Sequence, residues 1–157
     1  TASGVVTDNI IVGTRPRRFV LPTGTNELWV TDELSGEVSI IDRDTKEVTQ
    51  TLEFLPPGFR KVDVTPVGIT MLADGSKVFV TLGRANHVAV VNAKTKAIEG
   101  YILVGSRAWG LDLSKDQKTL YVSNGLSDDI SIVDVASMKN VRSIPVGRVP
   151  HSIVVDD

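Results

Sequence analysis

The chain repeats itself. Leu28-Trp29-Val30-Thr31-Asp32, Val78-Phe79-Val80-Thr81-Leu82 and Leu120-Tyr121-Val122-Ser123-Asn124 are three versions of one segment, spaced by 50 and then 42 residues. After a short polar turn each is followed by a second apolar run: Val38-Ser39-Ile40-Ile41-Asp42, Val88-Ala89-Val90-Val91-Asn92 and Ile130-Ser131-Ile132-Val133-Asp134. The same spacings hold for both sets, and Val12-Gly13, Val104-Gly105 and Val146-Gly147 keep the phase. The unit is therefore about 42 residues long, with residues 55–62 as an insertion in the second interval. Units of this size are single supersecondary motifs that must stack on neighbours to bury their apolar faces.

Each unit reads as four short strands. The first lies at 17–21, 67–72, 109–113 and 151–155. The second and third are the runs quoted above, and the fourth lies at 48–52, 98–103 and 141–144. β-Branched and aromatic residues dominate these runs, and turn residues such as Ser35-Gly36 and Asp74-Gly75 punctuate them. No window of 11 or more residues shows helical periodicity. Strands such as 88–91 are apolar on both faces, which suits a sheet packed between two others. The expected fold is all-β: a β-propeller of four-stranded antiparallel blades, with a β-sandwich as the competing reading.

The phase of the repeat divides the chain. Residues 1–10 are expected as the last strand of a preceding blade, 11–54 as a blade, and 55–103 as a blade carrying the inserted loop 55–62. Residues 104–145 make a third blade and 146–157 the first strand of a closing one. Closed propellers have about 4 to 8 blades, so three blades and two split-blade strands imply a remaining half supplied by further sequence or another chain.

Composition narrows the function classes. The net charge of −2 favours neither nucleic acid nor an anionic membrane surface. No apolar run approaches the roughly 18 residues of a membrane span. With no cysteine there is no disulfide, thiolate metal site or cysteine nucleophile. No Gly-x-Ser-x-Gly elbow, phosphate loop, His-Glu-x-x-His motif or dinucleotide fingerprint is present.

The second-strand segments Trp29-Val30-Thr31-Asp32, Phe79-Val80-Thr81-Leu82 and Tyr121-Val122-Ser123-Asn124 resemble the Tyr-Val-Thr-Asn (YVTN) propeller repeat. Val12-Gly13-Thr14-Arg15-Pro16 and Ser39-Ile40-Ile41-Asp42 fit the surrounding pattern, while Leu82 and Ala108 depart from it. Val12-Gly13-Thr14-Arg15-Pro16-Arg17, Thr65-Pro66-Val67-Gly68-Ile69, Asn124-Gly125-Leu126-Ser127-Asp128-Asp129-Ile130-Ser131 and Pro145-Val146-Gly147-Arg148-Val149-Pro150 are similar to propellers associated with pyrroloquinoline-quinone (PQQ) dependent alcohol oxidation. That resemblance implies the C-terminal half of a seven-bladed ring and export to the periplasm.

In a propeller the loops before each first strand share a face with the loops joining second to third strands. Three features fall there. Arg15, Arg107 and Arg148 recur beside the Val-Gly turns. Arg17, Val67, Trp109 and His151 open the first strands at the channel mouth. The insertion, with two prolines and a glycine, reads as a stiff projecting loop whose Pro57, Phe59 and Arg60 face a protein partner. Arginine forks suit carboxylate or phosphate, and Trp109 suits a planar ligand. The structural alternative pairs the arginines with Asp32 or Asp128 and makes Trp109 a gap filler. His87 reads as a surface residue after a turn. Asp42, Asn92 and Asp134 read as residues that bond their own turns, and the acidic pairs 128–129 and 156–157 as solvated turns with no metal. The function expected is non-catalytic binding of a protein partner or small anionic ligand. The alternatives are a redox propeller holding haem or PQQ through His151, Arg17 and Trp109, as in distantly similar nitrite-reductase propellers, and a lactone hydrolase by fold analogy.

Overall fold

The structure, a computed structural model, describes residues 4–156. Twelve strands form three four-stranded antiparallel sheets, each ordered as in the sequence. The first sheet holds β1 (Pro16–Val20), β2 (Glu27–Asp32), β3 (Glu37–Asp42) and β4 (Glu47–Glu53). The second holds β5 (Ile69–Met71), β6 (Lys77–Thr81), β7 (His87–Asn92) and β8 (Ile98–Leu103). The third holds β9 (Ala108–Leu113), β10 (Thr119–Asn124), β11 (Asp129–Asp134) and β12 (Lys139–Pro145). These are the blades the repeat predicts. Among the described residues no helix is long and apolar enough to cross a membrane.

The middle blade explains why its strands are apolar on both faces. Val78, Val80, Ala89 and Val91 pack towards the first blade, with Trp29, Val38 and Ile40. Phe79, Val88 and Val90 pack the other way, with Leu120, Val122 and Val133 of the third blade. All the middle-blade residues in these two sets are fully buried. Successive side chains on a strand point to opposite faces, so β6 and β7 each feed two cores.

The hydroxyl of the YVTN-like motif ties the blades together. Thr81 Oγ1 accepts the Gly68 N–H of its own blade at 2.7 Å and donates to the Trp109 carbonyl of the next blade at 2.7 Å. Thr31 does the same between Arg18 N–H (3.1 Å) and the Val67 carbonyl (2.8 Å). Ser123 repeats it between Gly110 N–H (2.9 Å) and the His151 carbonyl (3.2 Å). The hydroxyl takes the place of a ladder partner, and pairing in the first and third blades shifts register at this point. Such a bulge re-aims the residues beside it.

Departures from the motif are compensated across one turn. Asp32 accepts the Ser39 hydroxyl at 2.6 Å, and Asn124 donates to Ser131 at 2.9 Å. In the middle blade the corresponding pair is Leu82 and Ala89, both fully buried and apolar. The polar pair has been exchanged as a unit, which leaves no buried group stranded. The third-strand turns are as expected: Asp42 accepts two backbone N–H groups at 2.9 and 2.8 Å, Asn92 two at 3.1 and 3.0 Å, and Asp134 that of Ser137 at 2.7 Å.

Three segments differ from expectation. The insertion turns one ring inward while Leu55, Pro57, Arg60 and Val62 stay exposed. Its Phe59 packs on the core between the first two blades and meets His87 edge-on at 5.4 Å, while Leu55 N–H donates to the Tyr101 hydroxyl at 3.0 Å. An apolar ring buries itself where a slot exists. His87 is consequently half-buried between Phe59 and Tyr101 instead of lying on the surface. Residues 4–10 and 151–156 form no strand, because no second strand lies beside them among the described residues. Residues 1–3 and 157 lie outside the described residues. The segment 151–155 still runs along β9, with Val155 N–H on Asp112 at 2.9 Å.

Two outcomes are expected. Thr81→Val keeps the shape but strands Gly68 N–H and the Trp109 carbonyl. In denaturant melts of the full-length protein it costs about 1–3 kcal/mol for each stranded group, whereas Thr81→Ser costs about 1 kcal/mol or less for its methyl. The second concerns Asp32, whose carboxyl is pushed up from its ordinary value by burial, against a smaller opposing pull from the Ser39 hydroxyl. The folded state holds this proton more tightly than the unfolded chain, so ionisation costs stability as pH rises through the carboxylate range. Asp32→Asn, the residue the third blade already uses, gains on wild type at neutral pH. That gain shrinks in melts at mildly acidic pH.

Candidate functional site

With the blades tied in this way, the first-strand openings face one cleft of about 190 Å³. Arg17, Trp109 and His151, singled out from the repeat, line it together with Val67, Arg18, Gly68 and Gly110. Below it, a second cleft of about 260 Å³ shares Arg18, Gly68 and Gly110 and adds Thr70, Asp112 and Ser152. The two glycines let neighbouring first strands approach. A Cβ on Gly68 would fall 2.4 Å from the Trp109 carbonyl oxygen, and one on Gly110 would fall 3.0 Å from that of His151.

The recurring arginines are not equivalent. The Nε atoms of Arg15 and Arg17 both lie within ion-pair distance of one oxygen of Glu33, at 3.3 and 3.2 Å. Glu33 is buried, and its backbone N–H donates to the Arg15 carbonyl at 3.1 Å. The acidic partner is therefore Glu33. Asp32 is occupied by Ser39, and Asp128 accepts the Val149 N–H at 2.9 Å. Arg107 lies over the Trp109 ring at 5.2 Å, a cation–π contact. Arg148 is exposed and does not line the cleft. Arg15 and Arg107 hold left-handed backbone (φ 63° and 60°), the conformation that lets 4–1 loops dock on 2–3 loops through Glu33 N–H, Leu34 N–H, Gly125 N–H and Leu126 N–H.

Trp109 is half-buried, with Arg107 over its ring and His151 edge-on at 4.3 Å and 71°. The stacking slot expected for a planar ligand is thus already in use. His151 Nδ1 lies 3.1 Å from Ser152 Oγ, and its imidazole is exposed to the cleft. Of the loop residues, Pro57 and Arg60 are exposed, and Arg60 forks onto Asp63 at 2.8 and 3.1 Å. Phe59 is spent on packing. Asp129 accepts from Asn124 and Ser127 at 2.8 and 2.9 Å, so its charge serves the turn.

Sequence reasoning missed Glu33, Arg18, Asp112 and Ser152. A signal for Arg18 existed. The repeat places Gly68, Gly110 and Ser152 at its equivalents, and a long cation at a small-residue position breaks the pattern. Arg18 reaches across the cleft, with Nη2 3.5 Å from Ser152 Oγ. Among the described residues it has no carboxylate partner. Glu33 and Asp112 carried no such signal, since nothing in the sequence says which acid faces the arginines.

Fold and cleft together define a partial β-propeller, three blades whose first strands line a cleft. Residues 59–157 match the YNCE-like beta-propeller family, and the chain belongs to it. No protein of curated function matches the sequence. Among solved structures, the chain is similar to the hydrazine synthase of Kuenenia stuttgartiensis, with TM-score 0.75 and 26% identity over 95% of this chain and 42% of that one. It is also similar to the periplasmic gluconolactonase of Pseudomonas aeruginosa, with TM-score 0.73 and 24% identity over 88% of this chain and 42% of that one. For U3-55K the values are 0.67 and 12%, over 83% and 42%. The latter two likenesses show the fold alone. The chain spans 42% of the length of each of these proteins.

Proposed function

We propose that this chain is part of a non-catalytic binding propeller whose first-strand cleft takes a small anionic ligand. The observation that carries the reading is the unshared charge of Arg18 in a cleft where Glu33 already occupies Arg15 and Arg17. A guanidinium held in a half-enclosed site binds oxyanions through paired hydrogen bonds. Arg107 covers the Trp109 ring and His151 meets it edge-on. Haem or PQQ stacked on Trp109 does not fit these residues. The motifs shared with PQQ-associated propellers support an exported protein serving alcohol oxidation as a partner, with loop residues Pro57 and Arg60 available to a second protein.

One observation favours a second reading. His151 Nδ1 and Ser152 Oγ, 3.1 Å apart, are a base and a hydroxyl beside a cation. That is the minimum for hydrolysis, and the similar gluconolactonase makes lactones the substrates to assay.

Trp109 makes the binding reading testable. Trp29 is fully buried and donates to Glu27, so of the two tryptophans in this chain only Trp109 senses the cleft. Titrating the full-length protein with a panel of small carboxylates, phosphates and neutral sugars is expected to change tryptophan emission with at least one anion. Trp109→Phe abolishes the change. A silent panel overturns the reading. A visible absorption band from a bound chromophore replaces it with the redox alternative, and lactone turnover that Ser152→Ala removes replaces it with the hydrolase.

A further inference from the structure

The two clefts meet at Arg18, and their charges differ. The upper one is lined by Arg17, Arg18 and His151 and has no acidic side chain in its wall. The lower one holds Asp112. Arg17 is committed to Glu33 and Arg107 to Trp109, which leaves Arg18 as the guanidinium open to a ligand. Asp112 is fixed from two sides: Oδ1 accepts the Leu113 N–H at 2.9 Å and Oδ2 the Val155 N–H at 2.9 Å. A carboxylate has about four acceptor positions, so two remain for donors in the cleft. Thr70 and Ser152 add hydroxyls to the same wall.

Resting on the binding reading above, we propose that the joined clefts select a small organic monocarboxylate that also carries hydroxyl or ammonium donors. Its carboxylate sits on the Arg18 fork, with Ser152 beside it. Its donors point down to Asp112 and Thr70. Arg18 supplies attraction, and Asp112 supplies discrimination, because a second negative charge on the ligand would face an acceptor-only carboxylate. A neutral polyol satisfies Asp112 but leaves Arg18 unmatched.

The test uses the full-length protein and four probes: glycerate, glycine, inorganic phosphate and glycerol. Calorimetry, cross-checked by Trp109 emission, is expected to show saturable binding of glycerate or glycine. Phosphate and glycerol bind at least about tenfold more weakly, the scale of one lost charge-assisted hydrogen bond. Arg18→Gln weakens the carboxylate probe by about tenfold or more, and Arg18→Lys, which keeps the charge and loses the fork, falls between. The exposed Arg18 side chain leaves its backbone bond to Thr31 in place, so thermal melts of both variants match wild type. Asp112→Asn narrows the gap between phosphate and the carboxylates. The proposal is overturned if glycerol or phosphate binds as tightly as the carboxylates, or if Arg18→Gln binds like wild type. If glycerate and glycine are silent while another anion of the larger panel moves Trp109 emission, the ligand class is wrong and the binding reading stands. If every anion is silent, both fall.

Discussion

A single buried hydroxyl per blade holds this architecture together. Thr31, Thr81 and Ser123 each accept a hydrogen bond from their own first strand and donate one to the next. In a buried setting each bond matters chiefly because leaving its partners unmade is costly. The centres of the blade interfaces are otherwise apolar, built from residues such as Val78, Val80, Phe79 and Val90, with further polar contacts such as Lys96 on Glu27 and Ala73 N–H on Gln117 outside those apolar centres. Apolar packing brings sheets together but does not fix how far one slides on the next. The hydroxyl fixes that register. The bulges and the approach of Gly68 and Gly110 to neighbouring backbone follow from it.

The fold was legible because its determinants are local and repeated. Period-two apolar runs, Asx turns at Asp42, Asn92 and Asp134, and the fixed spacing of the motif all lie in one strand or turn. Three recurrences of one signal average out what any single strand leaves ambiguous. The inserted segment 55–62 occurs once, and its composition suggested an exposed loop. Its conformation depends on a slot beside His87 and Tyr101 that is formed by residues far along the chain. No local pattern encodes such a slot.

The site was half legible for the same reason. Alignment of repeats singled out Arg17, Trp109 and His151, and the cleft gathers them. It did not reveal who neutralises whom. Glu33 takes two arginines at once, and Arg107 turns to the indole, so similar residues at similar positions have different partners. Arg18 is informative only when read against Gly68 and Gly110, whose reason for being glycine is a distance to the next blade's backbone. Charge pairing at short range is a three-dimensional property that symmetry obscures.

The hydroxyl bond between blades ends on a backbone carbonyl, at Val67, Trp109 and His151. Every residue has that carbonyl, so the interaction places no demand on the side chain attached to it. These cleft-lining positions are thereby uncoupled from the interaction that joins the blades, and aliphatic, indole and imidazole groups occupy them under the same bond. A scaffold of this kind leaves positions 67, 109 and 151 open to substitution, while Gly68 and Gly110 beside them and the hydroxyls one strand away are held fixed. New specificities can therefore arise at these three openings without disturbing the bond that joins the blades.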